Sequence, residues 1–261
     1  ETPITAPVVR EILGPDAESV ALAWRFPGAA DKDVETLQVV SQILYNGQAG
    51  LIDLDLTQQQ KTLSAYCYPM TMSDYSAFMM QGRPKQGQTL DEVKDLLLGE
   101  LKKLREGDFD EKMLEANINN FKLYQMQQLE NNDARADMFV ESFVNGSDWA
   151  DEVTALDRMS KLTKDDIVAF ANKYLKDDNY AVIYKKQGKD PNEKKMSKPE
   201  ITPIVMNRDT VSTFLKEIQA SVVTPIEPVF LDYSKDLTQL KAKSEIPVLY
   251  KQNTTNDIFQ L

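Results

Sequence analysis

The hydrophobic period of this chain switches from two to helical across one Pro-Gly pair, and no other feature limits the fold more. From Ser19 to Phe26, the apolar residues Val20, Leu22, Trp24 and Phe26 alternate with Ala21, Ala23 and Arg25, which sets an apolar row on one face of a strand. Beyond Pro27-Gly28, Val34, Leu37, Val40, Ile43 and Leu44 recur at helical spacing until Asn46-Gly47. An earlier apolar stretch, Val8 to Leu13, is separated from the strand by Gly14-Pro15-Asp16, and that turn predicts a hairpin between the two. Leu63, Ala65 and Cys67 alternate again, as do Tyr75, Ala77 and Met79, which predicts a second hairpin around Pro69 to Ser73.

Helices follow. Thr89 with Glu92 three residues on is a capping box, backed by the stripe Val93, Leu96, Leu97, Leu101 and Leu104 and stopped by Gly107. Asp108 and Glu111 repeat the capping arrangement before a long amphipathic segment carrying Met113, Leu114, Ile118, Phe121, Tyr124 and Leu129. Further helices are predicted over Ala134 to Val144 and Trp149 to Met159, and Thr163 with Asp166 caps another over Ile167 to Leu175. A strand from Tyr180 to Tyr184 closes the series. Strands and helices come in blocks rather than alternating, so the expected class is α+β, with a mainly antiparallel sheet covered by helices on one face.

This domain is expected over residues 1–186. Lys185 to Glu200 reads KKQGKDPNEKKMSKPE, almost without apolar residues, and marks a linker. Residues 187–243 are expected to be linker with one short helix, Val211 to Ala220. Residues 244–261 are expected to hold the opening strands of a following domain, Ile246 to Tyr250 and Asp257 to Leu261. A start on Glu rather than Met, and an apolar strand flush with the last residue, suggest a piece excised from a longer protein.

The chemistry is bounded by what the 261 residues omit. The chain has no histidine, which removes the usual neutral-pH general base and every zinc motif that needs an imidazole. Its single cysteine, Cys67, lies mid-strand with no base to activate it and reads as a buried thiol. With 30 Lys+Arg against 41 Asp+Glu the net charge is −11, which argues against a nucleic-acid partner. Of the paired carboxylates Asp53/Asp55, Asp108/Asp110 and Asp165/Asp166, two fall at helix starts, and capping is the better reading than acid/base or calcium chemistry. Neither a phosphate loop nor a dinucleotide fingerprint occurs, and no apolar run suits a signal peptide or a membrane span.

Three stretches carry a family resemblance: VALAWRFPGAADKDVETLQVVSQILYNG, then AGLIDLDLTQQQKTLSAYCYP, then TLDEVKDLLLGELKKLREGDFDEKMLEANINNFKLYQMQQLENNDARADMFVESFVNG. In wording and in element order, from Val8 to Tyr184, the chain is similar to the second, inactive domain of the insulinase and mitochondrial-processing-peptidase (pitrilysin-like) family. The catalytic domain of that family carries HxxEH on its first helix, where two histidines bind zinc and the glutamate activates water. Laid on that helix, this chain has Gln38, Ser41 and Gln42, QVVSQ for HxxEH. The resemblance therefore implies a non-catalytic domain of an inverted-zincin endopeptidase, with no catalytic or metal-binding residue here and zinc in the parent's catalytic domain. The partners it implies are that catalytic domain and extended peptides, the latter held along Leu63 to Tyr68 with Ser64, Tyr66 and Tyr68 shaping the groove. The alternative it implies is a scaffold or assembly subunit derived from the same family without protease activity.

Overall fold

The computed structural model describes residues 2–191, 197–204, 206 and 209–260. It divides into two compact units, residues 1–193 and 194–261.

The first unit contains, in chain order, β1 (Val8–Gly14), β2 (Ser19–Pro27), α1 (Lys32–Leu44), one π-helical turn (Asp53–Thr57), β3 (Ser64–Met70), β4 (Tyr75–Arg83), α2 (Leu90–Glu106), α3 (Lys112–Leu129), α4 (Asn132–Asn145), α5 (Trp149–Met159), α6 (Lys164–Tyr174) and β5 (Tyr180–Gln187). The five strands form one sheet in the order β1-β5-β2-β4-β3. Pairing is antiparallel between β2 and β4 (Trp24 opposite Phe78), β2 and β5 (Leu22 opposite Val182), and β3 and β4 (Cys67 opposite Met80). Only β1 runs parallel to its neighbour, with Val8 opposite Ala181. The unit is the expected α+β fold with a mainly antiparallel sheet.

The first expected hairpin does not form. β5 lies between β1 and β2, so Gly14-Pro15-Asp16 leads the chain over the end of β5 rather than folding β1 onto β2. Lys185 Nζ donates to the carbonyl of Ala17 at 3.0 Å, and Gly188 N–H donates to the Gly14 carbonyl at 2.9 Å, pinning this crossing. The physical reason is burial: Tyr180 and Val182 of β5 face the core and earn a central position, whereas β1 is exposed along most of its length and can be spared to an edge.

The alternation that predicts β2 is the core itself. Val20, Leu22, Trp24 and Phe26, with Phe78 and Met80 of β4, face α1, α2 and α6, and are 2% exposed or less. α2 contributes Val93, Leu97, Leu101 and Leu104, all fully buried. Burial of each large side chain of this kind is worth roughly 1.5–3 kcal/mol. Trp24 keeps its indole N–H satisfied by the Lys176 carbonyl at 3.0 Å. Both predicted capping boxes are formed, at Thr89/Glu92 for α2 and Thr163/Asp166 for α6. At α3 the cap differs from expectation: Asp110, not Asp108, accepts the Lys112 N–H, at 3.0 Å. Gly107 ends α2 in the left-handed region (φ 72°) and Phe109 turns into the core, which leaves Asp110 beside the first free amides.

In the second unit, α7 (Thr213–Ala220) starts on Ser212, whose Oγ accepts the Leu215 N–H at 3.2 Å. β6 (Thr238–Lys241) pairs antiparallel with β7 (Pro247–Tyr250). The expected strand at Asp257 to Leu261 is not present over residues 257–260, and Leu261 lies outside the described residues. Among the described residues no helix is long and apolar enough to cross a membrane.

Candidate functional site

α1 carries the residues laid on HxxEH. The helix opens on Asp31, whose Oδ1 accepts the Asp33 N–H at 2.8 Å, and its apolar stripe faces the sheet. Gln38 and Gln42 are half-buried and turn toward α3, whereas Ser41 is 3% exposed and packs on β3. Ser41 Oγ lies 4.0 Å from Cys67 Sγ, and the Cys67 thiol donates to the Ser41 carbonyl at 3.7 Å. The three positions do not converge on one point. Burial pushes the Cys67 thiol far above its ordinary pKa against a smaller opposing pull from Ser41, and the negative charge of Asp53 adds to the rise. The thiol stays protonated and is neither nucleophile nor ligand.

Two carboxamides and a buried hydroxyl do not fit a zinc ion, which takes thiolate, imidazole or carboxylate donors. Among the described residues, no group of three or more His, Cys, Asp or Glu is placed to hold a metal. The sequence-assigned carboxylates serve the fold: Asp53 closes the loop after α1, Asp55 pairs with Lys103 at 2.7 Å, and Asp110 and Asp166 cap helices.

What α1 and α3 do form is a groove of about 530 Å³, lined by Gln38, Gln42 and Asn46 on one side and Asn117, Phe121 and Tyr124 on the other. Asn46 anchors one end. Its Oδ1 accepts the N–H groups of Gln48 (3.0 Å) and Ala49 (2.9 Å), and its Nδ2 donates to the Gln42 carbonyl (3.2 Å) and to Asn117 Oδ1 (3.3 Å). Asn117 is 2% exposed and its Nδ2 has no hydrogen-bond partner. Sequence reading did not single out Asn46 or Asn117 for a site; the carboxamide row Gln38, Gln42, Asn46, four residues apart and running off the end of α1, is the signal that marks the groove.

β3, the other predicted site, is an edge strand of the sheet. Ala65 and Cys67 face the helices, and Ser64, Tyr66 and Tyr68 lie on the opposite face, as the alternation requires. Tyr66 Oη donates to Gln81 Oε1 at 2.6 Å, and its ring stacks on Tyr68 with centroids 6.1 Å apart and planes 20° apart. Tyr45 closes on Tyr66 at 6.2 Å. Edge position leaves one side of β3 without a neighbouring strand among the described residues.

The family model described as the peptidase M16 inactive domain matches residues 1–121. The zinc protease PqqE of Helicobacter pylori is 24% identical over 174 residues, which cover 66% of this chain and 39% of that protein. A crystallised protease from Helicobacter pylori superimposes with a TM-score of 0.67 at 20% identity, over 71% of this chain and 45% of its own. A peptidase M16 inactive domain from Pseudomonas fluorescens gives a TM-score of 0.62 at 15% identity, over 70% and 44%. The chain thus spans less than half the length of each of these proteins. Residues 1–121 thus match the peptidase M16 inactive-domain model, and the first unit shares the fold of these solved protease domains.

Proposed function

We propose that this chain is the non-catalytic second domain of an inverted-zincin zinc endopeptidase, supporting the catalytic domain and helping to enclose an extended peptide. What supports the reading is the content of α1: laid on the HxxEH of the family's catalytic domain, it has Gln38, Ser41 and Gln42, which cannot bind zinc or lower the pKa of water. Zinc, in this reading, belongs to the catalytic domain of the parent protein. The edge strand β3 supports a peptide rail, in which an added strand takes backbone hydrogen bonds from the free side of β3, and Ser64, Tyr66 and Tyr68 select what lies against them.

The test is to measure zinc content and peptide cleavage for the full-length parent, for the parent with this region deleted, and for the 261-residue chain alone. Zinc and chelator-sensitive cleavage in the parent, loss of cleavage on deletion, and neither property in the chain alone are expected. A parent without zinc or cleavage replaces this reading with the scaffold subunit. One zinc per chain in the isolated fragment overturns both.

A further inference from the structure

We infer that the groove between α1 and α3 is a second peptide site, which takes three or four uncharged residues in extended form and reads them through side-chain carboxamides. The inference rests on the peptide-handling reading above but gives Gln38, Gln42, Asn46 and Asn117 a peptide contact separate from the β3 rail. Its first support is chemical. Asn120, Gln127 and Gln48 join the Gln38, Gln42, Asn46 and Asn117 carboxamides in the wall, and among the described residues none that lines it is charged. This is unusual for the molecule, whose other cavities include walls with Glu111 and Lys112 or with Glu11 and Asp91. A wall without countercharge gives an ion nothing in return for its lost hydration. It suits a neutral ligand that offers donors and acceptors together.

The second support is the floor. Asn46 uses its oxygen for two backbone amides, so its nitrogen must face Asn117, and that fixes the oxygen of Asn117 toward Asn46. The amide nitrogen of Asn117 is left as a buried donor without an acceptor. A buried donor of this kind costs about 1–3 kcal/mol if nothing answers it, and a carbonyl group entering the groove would answer it. Around it, the side chains of Gln38, Gln42, Asn120 and Gln127 make no hydrogen bond among the described residues and are free to meet a ligand.

The third support is spacing, and it separates an extended peptide from a compact ligand such as a sugar. Gln38 and Gln42 are four residues apart on α1, which at 1.5 Å per residue sets them about 6 Å apart along the groove, and Asn46, just past the end of the helix, follows with its Nδ2 on the Gln42 carbonyl at 3.2 Å. Groups on one side of an extended chain recur every second residue, roughly 6.6–6.8 Å. The two repeats run in near register between Gln38 and Gln42, and Asn46 and Asn117 follow at the groove's end, so three or four extended residues reach all of them. In an extended chain the N–H and C=O of one residue point to the same side, so the carboxamide of each free glutamine can reach one such residue through a hydrogen bond. Tyr124, 61% exposed, adds an apolar contact at the rim.

The experiment is chemical-shift mapping of the 261-residue chain, labelled with ¹⁵N, titrated with the blocked hexapeptide acetyl-Gly-Ser-Gln-Ala-Asn-Ser-amide. Two analogues in which glutamate or lysine replaces the polar residues, and the disaccharide maltose, are titrated in parallel. The expected result is saturable shifts of the side-chain NH₂ signals of Asn117, Gln38 and Gln42 with the neutral peptide, and much weaker ones with either charged analogue. Double substitution Gln38→Ala/Gln42→Ala is expected to weaken the affinity read at Asn117 about tenfold, as loss of two neutral hydrogen bonds predicts. The near-isosteric Gln42→Glu, which preserves shape, is expected to weaken it by a similar factor, so misfolding of the double variant does not decide the result. Shifts confined to the backbone amides of β3 overturn the groove site while leaving the rail. Saturation by maltose at the same signals, in place of the peptide, overturns the ligand class. No saturable shift anywhere with any peptide overturns both the groove and the peptide-handling reading.

Discussion

Asp53 closes the loop after α1 by taking the backbone N–H of Gly50 onto its Oδ2 at 3.0 Å. The same oxygen accepts the N–H groups of Asn46 at 3.0 Å and Gly47 at 3.1 Å, and Asp53 is only 4% exposed. One buried carboxylate thus answers three amides of the turn that sets Asn46 at the end of the α1–α3 groove. Gly50 is held so tightly that a Cβ there would lie 2.6 Å from the Leu44 carbonyl oxygen.

Removing that carboxylate strands the three amides. Asp53→Ala is expected to cost about 3 kcal/mol, since buried donors left without acceptors forfeit their solvation. Asp53→Asn keeps the shape and a neutral acceptor and should lose roughly half as much. Urea unfolding of the two variants measures both, and an Asp53→Ala variant as stable as the parent sequence contradicts the role given to the loop.

Two glycines should respond oppositely to alanine. At Gly28, between β2 and α1, a Cβ would fall 2.0 Å from the Ser73 carbonyl oxygen, and the adjoining Ala29 N–H donates to Met72 at 2.9 Å, so the loop cannot back away without losing its contact with the β3–β4 turn. Gly28→Ala is expected to destabilise by about 2 kcal/mol or more. Gly99, in the middle of α2, meets nothing within 4 Å, and Gly99→Ala should stabilise by roughly 0.5–1 kcal/mol through helix propensity alone. Thermal unfolding of both checks the pair, and a gain at Gly28 would show that the two loops are not in contact.

How far the residues announced this fold depends on how local each signal was. The capping boxes at Thr89 and Thr163 and the helix Trp149–Met159 were legible because every participating residue lies within a turn or two. The β3–β4 hairpin was legible because its strands are neighbours in both sequence and sheet. The β1–β2 hairpin misled for the same reason: a turn signal says where the chain bends, but β5, more than 150 residues beyond β2, decided which strand sits beside β1. β6 was invisible, since its four residues TQLK are all exposed and carry no apolar alternation. The placement of Gln38 and Gln42 on one helix face followed from period alone, but Asn117 could not be joined to Asn46, 71 residues earlier, without the packing of α3 on α1.

Cys67 should be a reporter of unfolding rather than a reactive thiol. It is 3% exposed, its proton is retained by burial, and Ser41 covers it from α1. An aromatic disulfide reagent is expected to leave the native chain unlabelled and to label it at a rate that rises with denaturant as the unfolded fraction does. Stoichiometric labelling of the native chain within seconds would mean that β3 opens from α1 far more readily than its packing implies.

Stability should carry two opposed pH dependences from α2, and variants can separate them. Glu92 accepts the Thr89 N–H at 2.7 Å and the Thr89 hydroxyl at 2.8 Å, bonds that favour the ionised form and hold its pKa below the ordinary value. A group whose pKa is lowered by folding contributes stability above its unfolded value, about 4.3, and that contribution is lost as pH falls through the folded value. Glu100 is the reverse. Burial raises its pKa, Lys103 at 3.1 Å only moderates the rise, and Asp55, which shares Lys103, adds to it. Its contribution is present in full below about 4.3 and is lost as pH rises through the folded value, so at neutral pH the charge on Glu100 opposes folding. Glu92→Gln is therefore expected to lose stability relative to the parent sequence at pH 7 and to converge on it in acid. Glu100→Gln should gain relative to the parent sequence as pH rises from about 4 toward 7, because Lys103 keeps Asp55 as a partner while the cost of a buried charge disappears. Urea midpoints measured from pH 3 to 7 give the two difference curves, and curves that run parallel, rather than with opposite slopes, would show that Glu100 is not held above its ordinary pKa in the folded chain.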